Sequence, residues 1–390
     1  MLKRLLYNKL VMLLLLSVGF VVVGGYTDSV SLANRAIVLG MAWDIEPNGD
    51  LSVACQVLTA TSASNDIAGA NSYNVVKGSG ETLELAFKNI ELTIAGYLSF
   101  AHCNVILVGE ELLRSRGIFK ELDYMIKNSK LTENTGLMCA EGRASDILAL
   151  ETAPSGISSF GIQQQMIVNK AYSRVYPSTV LDYIVSVYDV KPNINIIYLT
   201  VSGEVEEGSG GGDSPRPKYS FDLERIANCD RDKLRRVMTD DEAMYYCLVK
   251  KKFEEGVYTL LYEGEYYDFF FKSNDCSISV SLYDVPTVTI EIRSVLYYNN
   301  KILEIFESVD NPLEEVLSDS ISEGVESLYT SFYLDGIDVY SIYMEFYKSY
   351  GTQFTDRYDS ETALMEHLEL RVDSRREAPL DRLCSVSRCP

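Results

Sequence analysis

From residue 36 onward the chain switches repeatedly between short apolar runs and the three-to-four spacing of amphipathic helices. "AIVLGMAW" is a near-continuous apolar run and reads as a buried strand. "EPNGD", with Pro47 and an Asn-Gly pair, is a turn, and "LSVACQVLTA" is the partner strand of a hairpin. "TSASNDIAGANS" is a polar loop of small residues. Gly78 to Thr82 then leads into a helix whose Leu83, Phe87, Ile90 and Ile94 share one face. "CNVILVG" is a second buried strand. "GIFKELDYMIKN" sets Ile118, Leu122, Met125 and Ile126 on one helical face. "NTGLMCAEG" reads as a strand and "RASDILALE" as a short helix ending before Pro154. Alternation of this kind over Cys103 to Glu151 predicts a layered α/β unit.

Val180 to Ser202 holds a short helix and the strand "INIIYLTVSG". The glycine-, serine- and proline-rich "EVEEGSGGGDSPRP" follows, residues 204–217, and reads as a flexible linker. A phosphate-binding loop needs G-x-x-x-x-G-K-[ST], and this glycine cluster has no such Lys-Ser or Lys-Thr. A domain boundary is therefore expected between residues 203 and 218. Beyond it, "YSFDLERIANC", "GVYTLLY", "YDFFFKS", "SISVSLY" and "TVTIEIRSVLYY" are strands. The last points Val288, Ile290 and Ile292 inward against Thr289, Glu291 and Arg293, the pattern of a one-sided sheet. Thr239 and Glu242 have capping-box spacing at the start of a helix. Asn311, Pro312 and Gly336 bracket a longer helix with a stripe of Leu313, Leu317, Ile321, Val325, Leu328 and Phe332. "DVYSIYMEFYKSY" is a further helix and "EHLELRVDS" the final strand. The fold class is α+β, with mixed sheets and packed helices in a multi-domain chain of three domains. Residues 26–203 supply two of them and 218–372 the third, with a tail over 373–390.

The first 25 residues follow a different rule. Lys3, Arg4 and Lys9 precede the apolar run Leu10 to Val23, the arrangement of a signal peptide. About 14 apolar residues fall short of the roughly 20 a comfortable span needs. Val23 and Gly25 fit a small-x-small cleavage site. Either the segment is cleaved, or it stays as a single anchor with the remainder outside.

Composition narrows the function classes. With 56 acidic and 35 basic residues in 390, the net charge is −21, a poor match to nucleic acid or anionic lipid. The 27 tyrosines suit half-buried sheets and interfaces. Eight cysteines include no C-x-x-C, and His102 and His367 are the only histidines, which argues against structural zinc. Cys103 and Cys139 lie in apolar runs as small buried hydrophobes, whereas Cys384 and Cys389 could form a local disulfide. His102, just before a strand, is the one candidate general base, and no companion constellation is evident around it. The pairs Asp240–Asp241 and Glu314–Glu315 fall in first turns of helices, where the helix dipole favours them. No catalytic, cofactor or metal residue is therefore assigned.

Several stretches resemble the Ger(x)C family, the C subunits of spore germinant receptors. "RAIVLGMAWDIEPNGDLSVACQVL" is similar to the family's opening hairpin. Gly80 to Leu83, His102, Val105 to Leu112 and Leu122 to Tyr124 match its strongest block: a Gly-x-Thr helix start, a histidine, a "GEEL" strand end and an "LDF"-like helix. "AEGRASDILALE", "LRRVMTDDEAMYYCLVKKKFEEGVYTL" and "LDGIDVYSIYMEFYKSY" resemble later family segments in the same order, over residues 26 to 372. The resemblance implies a non-catalytic lipoprotein on the outer face of the spore inner membrane. Its implied partners are a membrane-spanning A-type and a transporter-like B-type subunit, and its role is nutrient-triggered germination. Gly25 occupies the family's acylated-cysteine position, so no lipidation is expected there. The partly echoed "ELRVDSRR" and the tail to Pro390 mark a divergent member. The alternative is a secreted small-molecule-binding protein or hydrolase using a cleft near His102.

Overall fold

The computed structural model describes Met12, Ser17 and residues 35–58, 73–128, 131–152, 156–171, 176, 178–189, 191–205, 218–253, 255–298 and 312–376. The segment over 1–25 with Gly25, the loop 61–72, most of the expected linker, Asn311, and Cys384 and Cys389 lie outside the described residues.

The strands that build the first sheet are β1 Arg35–Ile45, β2 Leu51–Leu58, β3 Tyr73–Gly80, β4 Tyr97–Ser99, β5 Val105–Gly109, β6 Gly136–Ala140, β7 Glu151–Thr152, β8 Asn193–Val205, β9 Lys218–Asp230 and β10 Lys233–Met238. Their order is β10-β9-β8-β6-β5-β1-β2-β3, with β4 on β1 and β7 on β9. The centre, β8-β6-β5-β1, is parallel and both flanks are antiparallel. The helices of this half are α1 Leu83–Ile94, α2 Glu110–Ser115, α3 Phe119–Asn128, α4 Ala144–Leu148, α5 Ser158–Ala171 and α6 Val180–Val187. They cover both faces. Met41, Trp43, Ile106 and Val108 enter one core with residues of α1, α2, α3 and α6, while Ala42, Val105 and Leu107 enter another with α4 and α5. Burial on both faces is why the parallel strands read as unbroken apolar runs.

The expected opening hairpin forms, with Met41 opposite Cys55 and Trp43 opposite Val53. Thr82 caps α1 by accepting from Leu85 N. "YNVVKGSG" was not expected as a strand, yet it is β3, paired along β2. Its polar character hid it, and its glycines have a steric cause: a Cβ at Gly78 would stand 2.6 Å from Ala86 O of α1. The helix α5 also lacked a sequence signal, because its apolar residues hold no clean 3.6 period.

The break expected between 203 and 218 falls inside this sheet. β8 and β9, on either side of residues 206–217, pair antiparallel from Asn193↔Asp230 to Val205↔Lys218. "YSFDLERIANC" therefore belongs to the first sheet, and the change of sheet comes after Met238. A polar, glycine-rich composition reports local chain freedom and is blind to what the flanking strands pair with.

The second sheet is β11 Gly256–Tyr262, β12 Glu265–Leu282, β13 Pro286–Tyr298 and β14 Glu369–Arg376, in that order, with β14 parallel to β13. Glu263 and Gly264, at φ 51° and 87°, make the two-residue turn that joins β11 to β12. "YDFFFKS" and "SISVSLY" form the single strand β12, since a register shift between Phe271 and Ser273 interrupts the alternation without ending the strand. Asp373 to Arg376 close β14, where a tail had been expected. One face of this sheet is covered by α7 Asp240–Val249, α8 Pro312–Leu334, α9 Ile342–Tyr350, α10 Thr352–Thr355 and α11 Glu361–Met365. The predicted α8 stripe is buried along its whole length, from Leu313 to Phe332. The Thr239–Glu242 capping box forms at α7, and Gly336, at φ 72°, ends α8. Among the described residues no helix is long and apolar enough to cross a membrane.

Candidate functional site

Two places in this architecture are able in principle to hold a ligand: the carboxyl ends of the parallel strands and the seam between the sheets. In open α/β sheets, ligands sit at the first of these, against helix N-termini. Here one of the protein's own side chains meets a helix N-terminus. Asp44, at the end of β1 and 3% exposed, accepts from Ala144 N at 2.8 Å and Ser145 N at 2.9 Å. The carboxylate thus caps α4, and its interaction with the helix end is favourable in charge as well as geometry. Gly109 is required beside it, since a Cβ there would collide with the Asp44 carboxylate. Arg143 closes the rim by donating to Glu46 at 2.8 Å, and that pairing lowers the Glu46 carboxyl below its ordinary range. Glu110 takes hydrogen bonds from Arg114 at 2.6 Å and from Tyr198 Oη at 2.9 Å.

The seam is built from asparagines. Asn193 Nδ2 donates to the carbonyls of Asp338 and Val339 at 2.8 and 3.2 Å, which fixes its Oδ1 as an acceptor. Asn228 Nδ2 donates to Asn193 Oδ1 at 2.7 Å and to Asn195 Oδ1 at 2.9 Å, and Asn195 Nδ2 donates to Tyr246 Oη at 2.8 Å. Arg236 of β10 reaches Glu242 at 2.6 Å and Asp335 at 2.9 Å, and lies 4.3 Å over the Phe332 ring. Asp338, 6% exposed, receives Ile342 N at 2.9 Å and Tyr343 N at 2.7 Å, which organises the start of α9. Burial raises its carboxyl above the usual range despite those bonds. Desolvation lowers the ammonium of Lys250, which donates to Tyr340 O at 2.8 Å. A polar cleft of about 380 Å³ opens along the seam, lined by Lys191, Asn228, Arg231, Asp335, Asp338 and Glu361.

His102 stands exposed on the turn between β4 and β5 and does not line the seam cleft. His367 lies in the other half, its Nδ1 3.1 Å from Ala363 O. The cysteines are no better placed for chemistry. Cys55, Cys103, Cys139, Cys229, Cys247 and Cys276 are free and buried, and burial pushes the thiols of Cys103 and Cys247 up to about 12. Such thiols stay protonated at neutral pH and are poor nucleophiles. Among the described residues no group of three or more His, Cys, Asp or Glu side chains has the geometry to hold a metal ion.

Sequence reasoning assigned no role to Asp44, the three asparagines or Asp338. A signal for the asparagines was present: Asn193 and Asn195 alternate with Ile194 and Ile196, both buried, at the start of β8.

Comparison with known proteins adds three findings. The family model for the spore germination protein N-terminal domain matches residues 28–201. Spore germination protein B3 of Bacillus subtilis (strain 168) is 25% identical over 123 residues, which cover 32% of this chain and 33% of that protein. The aligned stretch thus spans about a third of the relative's length. The crystal structure of the GerBC protein superposes with a TM-score of 0.53 at 15% identity, covering 87% of this chain and 97% of that one. At that identity the likeness is one of fold, and it runs through both sheets.

Proposed function

Because the chain belongs to the Ger(x)C family of spore germination proteins, we propose that it is the C-type subunit of a germinant receptor, supporting nutrient-triggered germination without catalysing a reaction. In this reading it is exported, stands on the outer face of the spore inner membrane, and works beside a membrane-spanning A-type and a transporter-like B-type subunit. The observation that carries the reading is the family match over residues 28–201, which takes in most of the first sheet. The chemistry of the described residues agrees with it. Asp44, at the carboxyl end of β1, is engaged in capping α4, and burial keeps the Cys103 thiol protonated. The alternative, a secreted binding protein or hydrolase acting through His102, draws no support from an exposed turn residue away from the seam cleft.

Gly25 bears on how the chain is held. Glycine has no thiol to acylate, so the apolar segment before it or the grip of partner subunits keeps the protein at the membrane. Mass spectrometry of the mature N-terminus is expected to find no acyl group, and a fatty-acylated chain would contradict this.

Deleting the gene in the sporulating host, together with related receptors, is the functional test. Loss of the response to at least one nutrient, restored by the gene, is expected. An unchanged response to every nutrient would remove the receptor role.

A further inference from the structure

β11 is the outermost strand of the second sheet, and no described strand pairs beyond it. Natural sheets protect such an edge with a bulge, a proline or charges along the strand. β11 has none of these. Its register with β12 is regular from Gly256↔Phe271 to Tyr262↔Glu265, and its outward side chains are Val257, Thr259 and Leu261. The apolar surface continues onto β12, where Phe270 stands opposite Val257 and Tyr266 opposite Leu261. These four are 43–76% exposed, in pairs that would be core pairs were the face covered.

Beside this edge runs a groove of about 440 Å³, bounded by α7. Met244, Phe253 and Tyr258 line it together with Asp240, which pairs with Arg225 at 3.1 Å, and the exposed Asp241. Glu255 and Glu263 lie at the two ends of the strand, both exposed.

We propose that the β11 edge and its groove bind an extended segment of a partner protein, apolar at alternate positions and basic between them, which joins the second sheet as a fifth strand. The outer edge of β11, which pairs with no described strand, supplies the ladder; the exposed face of Val257 and Leu261 takes the apolar side chains, and on the opposite, groove side Asp241 selects lysine or arginine. Charge decides the occupant. A second copy of this chain paired antiparallel about Thr259 would set Glu255 against the copy's Glu263, like charges directly opposed. As the grip of a receptor neighbour this rests on the function proposed above. As a binding property of the chain it does not, so the two readings fail separately.

The test uses the full-length chain in detergent and a fluorescein-labelled peptide alternating valine and lysine, matched in length to the 7 residues of β11. Saturable binding in fluorescence anisotropy is expected, weakened about tenfold by Val257→Lys and again by Asp241→Lys. Replacing the peptide's central valine with proline, which cannot complete a ladder, should abolish it, and a glutamate version should not bind. Circular dichroism and Trp43 fluorescence verify that each variant is folded. Absence of saturable binding, equal binding of the glutamate peptide, or binding that survives both substitutions overturns the proposal. A concentration-dependent dimer in sedimentation, lost in Val257→Lys, would give the edge to a second copy and overturn it too.

Discussion

The two sheets bury their strands in different ways. In the first, neighbours on β1 part company: Met41 and Trp43 enter one core while Ala42 enters the other. In the second, Tyr258 and Leu260 go inward and Val257 and Leu261 stay out. A sheet clad on both faces has no open face, and at the end of β1 Asp44 is taken up in capping α4. A sheet clad on one face keeps a surface and an edge. The family match ends at residue 201, within the clad half. The fold this chain shares with the GerBC structure nonetheless covers 87% of the chain, so the open face belongs to the common architecture.

The contrast is sharpest if the halves are nonetheless one cooperative unit. Trp43 is the sole tryptophan and lies in the first half, so its fluorescence reports that half alone. Phe332→Ala empties a fully buried site in the second core and should cost about 3–5 kcal/mol. Because Arg236 and the asparagines tie β10, β9 and β8 to α8, α7 and the approach to α9, the Trp43 transition in urea should move to lower denaturant as well. An unmoved Trp43 midpoint would show that the seam transmits nothing.

Asp44→Ala comes next. It strands the amides of Ala144 and Ser145 in a buried place, at a cost of about 2–4 kcal/mol in denaturant unfolding. A loss under about 0.5 kcal/mol, the range of an ordinary surface change, would mean the crevice is open to water after all.

Asp338 gives a smaller, pH-dependent effect. Burial raises its folded-state pKa above the ordinary 3.8, with Lys250 opposing the rise. For a carboxyl shifted this way, the associated stability is fully present below 3.8 and lost as pH climbs through the folded value. Relative to Asp338→Asn, the native chain should therefore gain urea resistance on going from pH 7 to pH 4. Half-buried Glu361 is also raised, by desolvation and then by the Asp338 charge, so Asp338→Asn removes part of that shift too and acts in the same direction. A constant gap between the two proteins would show that Asp338 is not shifted.

The smallest effect tests the open face. Val257→Lys and Leu261→Lys should each change stability by less than about 0.5 kcal/mol, because both side chains already meet water. A larger loss would mean the face is covered by this chain itself.

Much of this was legible in the residues, and the reason is locality. The α8 stripe, the Thr239 capping box and the inward Val288, Ile290 and Ile292 each depend on a few neighbours in sequence, and each is in place. The polar strand β3 was not legible, because Gly78 and Gly80 are there for the closeness of α1, which composition does not display. Nor was the continuation of the first sheet through β9 and β10.

Residue order therefore settled the kinds of element and the faces they bury, since helix and strand periods are written in spacings of two to four. Folding in three dimensions settled the partners. Asp44 meets Ala144 across 100 positions, and Asn193 meets Asp338 across 145. Contacts at such separations exist only once the intervening chain has closed, and the closure is set by the packing of the whole molecule.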